Sequence, residues 1–259
     1  MLVRKPEKKS FTFVDFIFRS QSAFWIVSLN IIVFSLIRYQ GLAKETVYPW
    51  VLYPGNLLSG KMWCLLSSGF IHFELSHLLV NMLGVFIFAN VVEKHLGALQ
   101  TIFVYLTSLI ISMLFATVIY TFVLQKNTAI IGASGAVMGL LAAAMLLDPF
   151  RITYEMIIPL PVMVKGWMFI YADVEGFLAK EVDGVSHLAH LCGFLSIAVI
   201  VYILTSESRK IMRTGLIINV LSFVVFLLIR DWIIHQGYLS AFTINFEERV
   251  GGVLQYINF

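Results

Sequence analysis

Long apolar stretches separated by short charged punctuation restrict this chain more than any other feature. About seven segments, roughly 23–39, 70–92, 99–124, 132–147, 155–178, 185–205 and 214–234, are long enough to cross or nearly cross a bilayer core of about 30 Å. Lipid offers no hydrogen bonds, so spans of this length must satisfy their backbones internally as helices. Composition agrees: 13% of the 259 residues are charged and 59% are hydrophobic, where a soluble domain would carry about a quarter charged residues. The expected class is an all-α, polytopic membrane protein with the lipid bilayer as its surroundings.

Several functions fall away. The net charge of +3 is modest and no basic face is clustered, so nucleic acid is not an expected partner. Cys64 and Cys192 lie far apart without CxxC or metal spacing. "HFELSH" does not have the spacing of HExxH, and Asp173 and Asp231 lack a setting that suggests a paired-carboxylate site. No metal and no cofactor are expected. The basic start "MLVRKPEKK" precedes an apolar stretch without an A-x-A-like cleavage site, which reads as a retained first span.

Arg4, Lys5, Lys8 and Lys9 predict a cytoplasmic N-terminus by the positive-inside rule. Alternation then puts Lys94, Arg151 and the cluster Arg209, Lys210 and Arg213 inside, and the scattered Arg38, Lys44, Lys61, Lys126 and Lys180 outside. The first outer loop, about 40–69, carries Trp50, Tyr53 and Trp63, which favour the headgroup region. The tail after Gly237 falls outside. The cell membrane is the expected location.

Segments two, four and six run in the same direction in this scheme. Each has polar residues near its start: His77 and Asn81, then Ser134, then His190. Counting back from Glu93, Asp148 and Glu207 at ~1.5 Å per residue puts the four groups ~24, ~18, ~21 and ~26 Å above the inner boundary. They form one layer in the outer half of the membrane. Polar groups at that depth are costly unless partnered, and they mark function by default. Each has a plainer reading alone. A membrane histidine often serves packing, Asn81 can be interhelical glue, and Gly135 and Gly139 form a GxxxG packing pair.

Together the groups suit hydrolysis. A serine needs a base, and histidine is the usual one. Ser134 at a helix start has its own N–H among the unsatisfied donors there, aimed where an oxyanion would form. His77 and Asn81, at i and i+4, share a helix face and can reach the same oxygen. Gly132 and Gly135 keep the wall thin, and Gly193 lets segment six approach segment four. "GASG" is not the GxSxG of an α/β-hydrolase.

"GASG" at 132–135, "HFELSHLLVN" at 72–81 and "AHLCG" at 189–193, with "VVEKHLG" after segment two, resemble the rhomboid family of intramembrane serine proteases across about residues 60–205. The resemblance implies a six-helix core, a Ser–His dyad and no essential carboxylate. Ser134 would be the nucleophile, His190 the base, and His77 and Asn81 would complete the oxyanion hole. It divides the chain into a cytoplasmic segment (1–22), a six-helix protease core (23–205) and an added transmembrane helix with its tail (206–259). "SHLAH" offers His187 as well, but the family pattern A-H-x-x-G selects His190 and leaves His187 as a neighbour. Asp183, four residues before His187, is placed to orient it, but as the residue before a glycine it reads rather as a helix-start cap. Where the family often has Trp-Arg, this chain has Trp63-Cys64; Met138 replaces an aromatic, and Ile197 replaces a second glycine.

The implied function is an endopeptidase acting on transmembrane proteins in a water-filled pocket. The alternative is a non-proteolytic relative that binds membrane clients. A transporter is disfavoured by the lack of inverted repeats. Segment five, with "IIPLPVMVKGWMF", is expected to be interrupted by its prolines and glycine. With the loop through Asp173 and Glu175, it reads equally as a mobile gate or as a kinked packing helix.

Overall fold

The computed structural model describes residues 20–39, 44–153, 159–179 and 186–235. The main helices among them are α1 (Gln21–Tyr39), α2 (Leu75–Leu96), α3 (Ala98–Phe122), α4 (Ser134–Leu147), α5 (Val162–Ala179), α6 (His187–Ile203) and α7 (Ser206–His235). A two-stranded antiparallel pair, β1 (Ile152–Thr153) and β2 (Leu160–Pro161), links α4 to α5. Helices α1, α2, α3 and the Ser206–Ile229 part of α7 are long and apolar enough to cross a membrane. The fold is the expected all-α polytopic one. The basic residues 4–9, Lys180, Asp183 and the tail after Gly237 lie outside the described residues. The chain divides into two compact units, Met1–Gly215 and Leu216–Phe259. The first holds every candidate site residue.

Helix α4 is the centre of that first unit. Its 14 residues rise only about 21 Å, less than the hydrocarbon thickness of about 30 Å, so one of its ends stops within the membrane. It packs on α2, α3 and α6, and almost every residue from Gly135 to Leu147 is buried. Lipid is as apolar as leucine, so helices here must be held by close packing and hydrogen bonds rather than by apolar burial. Small residues meet those needs. A β-carbon at Gly135 or Gly139 would collide with Ser112 or Ser108 of α3, and one at Gly193 of α6 with the Gly135 carbonyl. Ser112 Oγ donates to the Ala189 carbonyl at 2.7 Å, and Ser196 Oγ to Ser108 Oγ at 2.8 Å. Outward, Trp25, Leu29 and Ile32 of α1 and Phe103, Ile110 and Phe115 of α3 are exposed. Lipid accepts such a surface; water would not.

Polar clamps close the end of the bundle away from Ser134. Glu93 near the end of α2 accepts from Ser20 Oγ (2.6 Å), Ser22 Oγ (2.5 Å), Gln21 N–H (3.0 Å) and Ser22 N–H (2.9 Å), capping the start of α1. His95 Nε2 lies 3.4 Å from Asp148 Oδ2, joining the ends of α2 and α4.

Two sequence expectations change. Residues 68–70 form a 3-10 turn, and α2 begins only at Leu75, so His72 precedes the helix rather than lying within it. The predicted fifth span from residue 155, broken by prolines, is corrected: Pro161 ends β2 and α5 starts at Val162, while residues 154–158 lie outside the described ones. A residue without an N–H is tolerated just before a helix, where that donor has no helical partner. Of Pro159, Pro161 and Gly166, the interrupting residues of that stretch, Gly166 alone lies inside α5, packed beneath the Met145 side chain.

Candidate active site

The approach to Ser134 is held from two sides. Ile130 N–H donates to the Leu52 carbonyl (3.0 Å) and Gly132 N–H to the Ser68 carbonyl (3.0 Å). Ser68 Oγ donates to the Ile130 carbonyl and accepts from Leu52 N–H at 3.1 Å. Ala133 N–H donates to His72 Nε2 at 3.3 Å. Ser68 and His72 are both fully buried. Gly132 turns the chain at φ +92°, and a β-carbon there would collide with the His77 ring.

The chain then enters α4 at half-buried Ser134. Ala133 supplies no side-chain cap, and the first helical bond runs from Val137 N–H to the Ala133 carbonyl. The amides of Ser134, Gly135 and Ala136 therefore head the helix, where no carbonyl of the preceding turn reaches them. A hydroxyl beside backbone donors that have no partner among the described residues is the combination an acyl-transfer site uses.

His77 lies in the first turn of α2, its ring against Gly132 and 4.9 Å from the ring of His72. Asn81, one turn on, is buried, and its Nδ2 donates to the His77 carbonyl at 2.8 Å. An amide nitrogen carries two hydrogens, so one remains for another acceptor.

His190 lies on α6. Its neighbour Ala189 and the Gly193 one turn later abut Gly135, the residue after Ser134. The two spans thus lie side by side at the level of the serine and the histidine. Among the described residues, no hydrogen bond joins Ser134 Oγ to the His190 ring. The ring is held on its other side: Nδ1 lies 2.8 Å from Oδ1 of Asp173 on α5. The same oxygen lies 2.9 Å from His187 Nδ1. The His187 ring fills the space over Gly176. Met138 is buried within α4.

Sequence alone does not assign Asp173, His72 or Ser68 to the site. The sequence reading places Asp173 in a loop with Glu175, whereas both lie inside α5, and an ionisable residue within a span is a functional candidate by default. Its contact with His190 joins separate helices and follows no helical spacing. His72 stands in the quoted "HFELSHLLVN" stretch, whereas nothing in the sequence marks Ser68.

The family model of the Rhomboid domain matches residues 59–207. "Putative rhomboid protease YdcA" of Bacillus subtilis (strain 168) is 29% identical over 182 residues, covering 70% of this chain and 83% of that protein. "RHOMBOID-like protein 12, mitochondrial" of Arabidopsis thaliana is 26% identical over 152 residues, covering 53% of this chain and 45% of that one. "Presenilin-associated rhomboid-like protein, mitochondrial" of Homo sapiens is 27% identical over 179 residues, covering 66% and 45%. The chain thus spans most of the bacterial relative and less than half of the two mitochondrial ones.

Proposed function

Because this chain belongs to the rhomboid family, we propose that it is an intramembrane serine endopeptidase with Ser134 as nucleophile and His190 as base. One observation carries the reading: Ser134 heads a helix too short to cross the bilayer, and its neighbour Gly135 packs on the turn of α6 that bears His190. His190 Nε2 takes the proton of Ser134 Oγ as that oxygen attacks the scissile carbonyl. The resulting oxyanion meets the Ser134 amide, the His77 ring and the second Asn81 hydrogen. His190 then returns the proton to the leaving amine, and the carbonyl collapses to an acyl-serine. Water, losing its proton to His190, hydrolyses that ester and frees Ser134.

Substrates are transmembrane proteins that enter from the bilayer and unwind at a water-filled pocket, with α5 as the moving wall. Residues 23–205 make up the catalytic core, 1–22 a cytoplasmic segment and 206–259 an accessory helix and tail. The cell membrane is the proposed location.

A second reading, a relative that binds membrane clients without cutting them, is favoured by the lack of a Ser134–His190 hydrogen bond among the described residues. The protease reading accommodates that gap, since catalytic hydrogen bonds often tighten only once substrate is bound. Fluorophosphonate labelling separates the two. The protease carries the label on Ser134, loses it in Ser134→Ala, and loses at least about a hundredfold in labelling rate in His190→Ala. A folded wild-type protein that takes no label supports the client-binding reading.

A further inference from the structure

Asp173 is only 5% exposed, and its Oδ1 stands 2.8 Å from His190 Nδ1 and 2.9 Å from His187 Nδ1. A buried carboxylate is costly unless hydrogen-bonded. A carboxylate oxygen only accepts, so both rings must carry their proton on Nδ1. When neutral, each ring then presents Nε2 as a lone pair. For His190, that is the nitrogen a general base needs.

The three ligand atoms also lie within 4.8 Å of one another, close enough to hold a cation. The spacing decides otherwise. Two ligands at about 2.0 Å from a tetrahedral zinc would stand about 3.3 Å apart. At 2.8 and 2.9 Å, a shared proton fits the gaps better than a shared ion.

The surrounding helix supports this arrangement. Asp173 and Gly176 are three residues apart on α5 and share a face. Gly176 leaves room for the His187 ring, which a β-carbon would displace. His187 thus fixes Asp173 from one side while His190 is fixed from the other. The rings stand nearly perpendicular, at 82°, with centroids 6.3 Å apart.

We infer that Asp173 is a positioning residue for the His190 base: its Oδ1 accepts the hydrogen bond from His190 Nδ1–H, locks the tautomer and ring orientation that offer Nε2 to Ser134, and is itself oriented by His187. This rests on the protease reading, and it extends the Ser–His pair by a carboxylate from a third helix. As His190 takes up the serine proton, the carboxylate also faces the cation that forms.

The test compares Asp173→Asn and Asp173→Glu with wild type in reconstituted vesicles, using a transmembrane reporter. Asp173→Asn is expected to lower kcat about a hundredfold or more with KM little changed. It should unfold at the wild-type temperature, and Asp173→Glu should recover part of the rate. A purely structural role would instead lower the unfolding temperature and leave kcat of the folded fraction intact, and that result overturns the inference. If Asp173→Asn does not fold, NMR of isotope-labelled histidine in the wild-type protein decides. The signal lost in His190→Gln should be protonated on Nδ1, and protonation on Nε2 overturns the inference. Wild-type protein that neither cleaves nor labels would instead strike at the protease reading, whatever the tautomer.

Discussion

Gly132 holds φ at +92° with the His77 ring where a β-carbon would go. A side chain is penalised twice there, by about 1–2 kcal/mol for the backbone alone and by more for displacing a ring assigned to the oxyanion hole. Gly132→Ala is therefore expected to lose more than tenfold in kcat while remaining membrane-inserted, as measured by reporter cleavage and detergent-solubilised thermal unfolding. Wild-type turnover in Gly132→Ala would show that the His77 ring position is immaterial. At this scale the sequence was informative where chemistry and short spacing coincide. "GASG" and the His77–Asn81 pair were legible because each lies within one turn of chain. Asp173, His72 and Ser68 reach the site across long sequence separations, by contacts that depend on how the helices are oriented.

The helices themselves were read from hydropathy, and their ends were not. α2 starts after a 3-10 turn, and α5 starts after its prolines instead of bending around them. Hydropathy responds to lipid exposure, while helix ends are set by caps and turn geometry. Glu93 is one such end device: it holds two serine hydroxyls and two backbone N–H groups at the start of α1. Glu93→Gln replaces one acceptor oxygen with a donor facing donors. It is expected to cost about 1–3 kcal/mol, seen as a lower unfolding temperature, with cleavage by the folded protein retained. An unchanged unfolding temperature would mean that α1 is held elsewhere. The gate proposed for α5 is tested at the same scale. A disulfide or bifunctional crosslink pinning α5 to α2 should slow cleavage of a transmembrane reporter, and reduction should restore it; an unaffected rate would remove α5 as the moving wall.

Across the first compact unit, the polar candidates lie where three helices meet: α4 at its start, α2 in its first turns and α6 at the turn holding His190. The sequence put those groups at a common depth by counting residues from charged landmarks, and the small-residue contacts of Gly135, Gly139 and Gly193 bring their helices together. Residue counting supplies depth but not azimuth. The facing of His190 toward Asp173 therefore emerged only from the packed bundle. Whether this polar cluster cuts peptide bonds through Ser134 is decided by cleavage of a transmembrane reporter in proteoliposomes, with wild type and Ser134→Ala at equal incorporation. Wild type is expected to make a discrete cut within or beside the reporter's membrane segment, and Ser134→Ala none. Equal cleavage by both proteins would contradict the assignment.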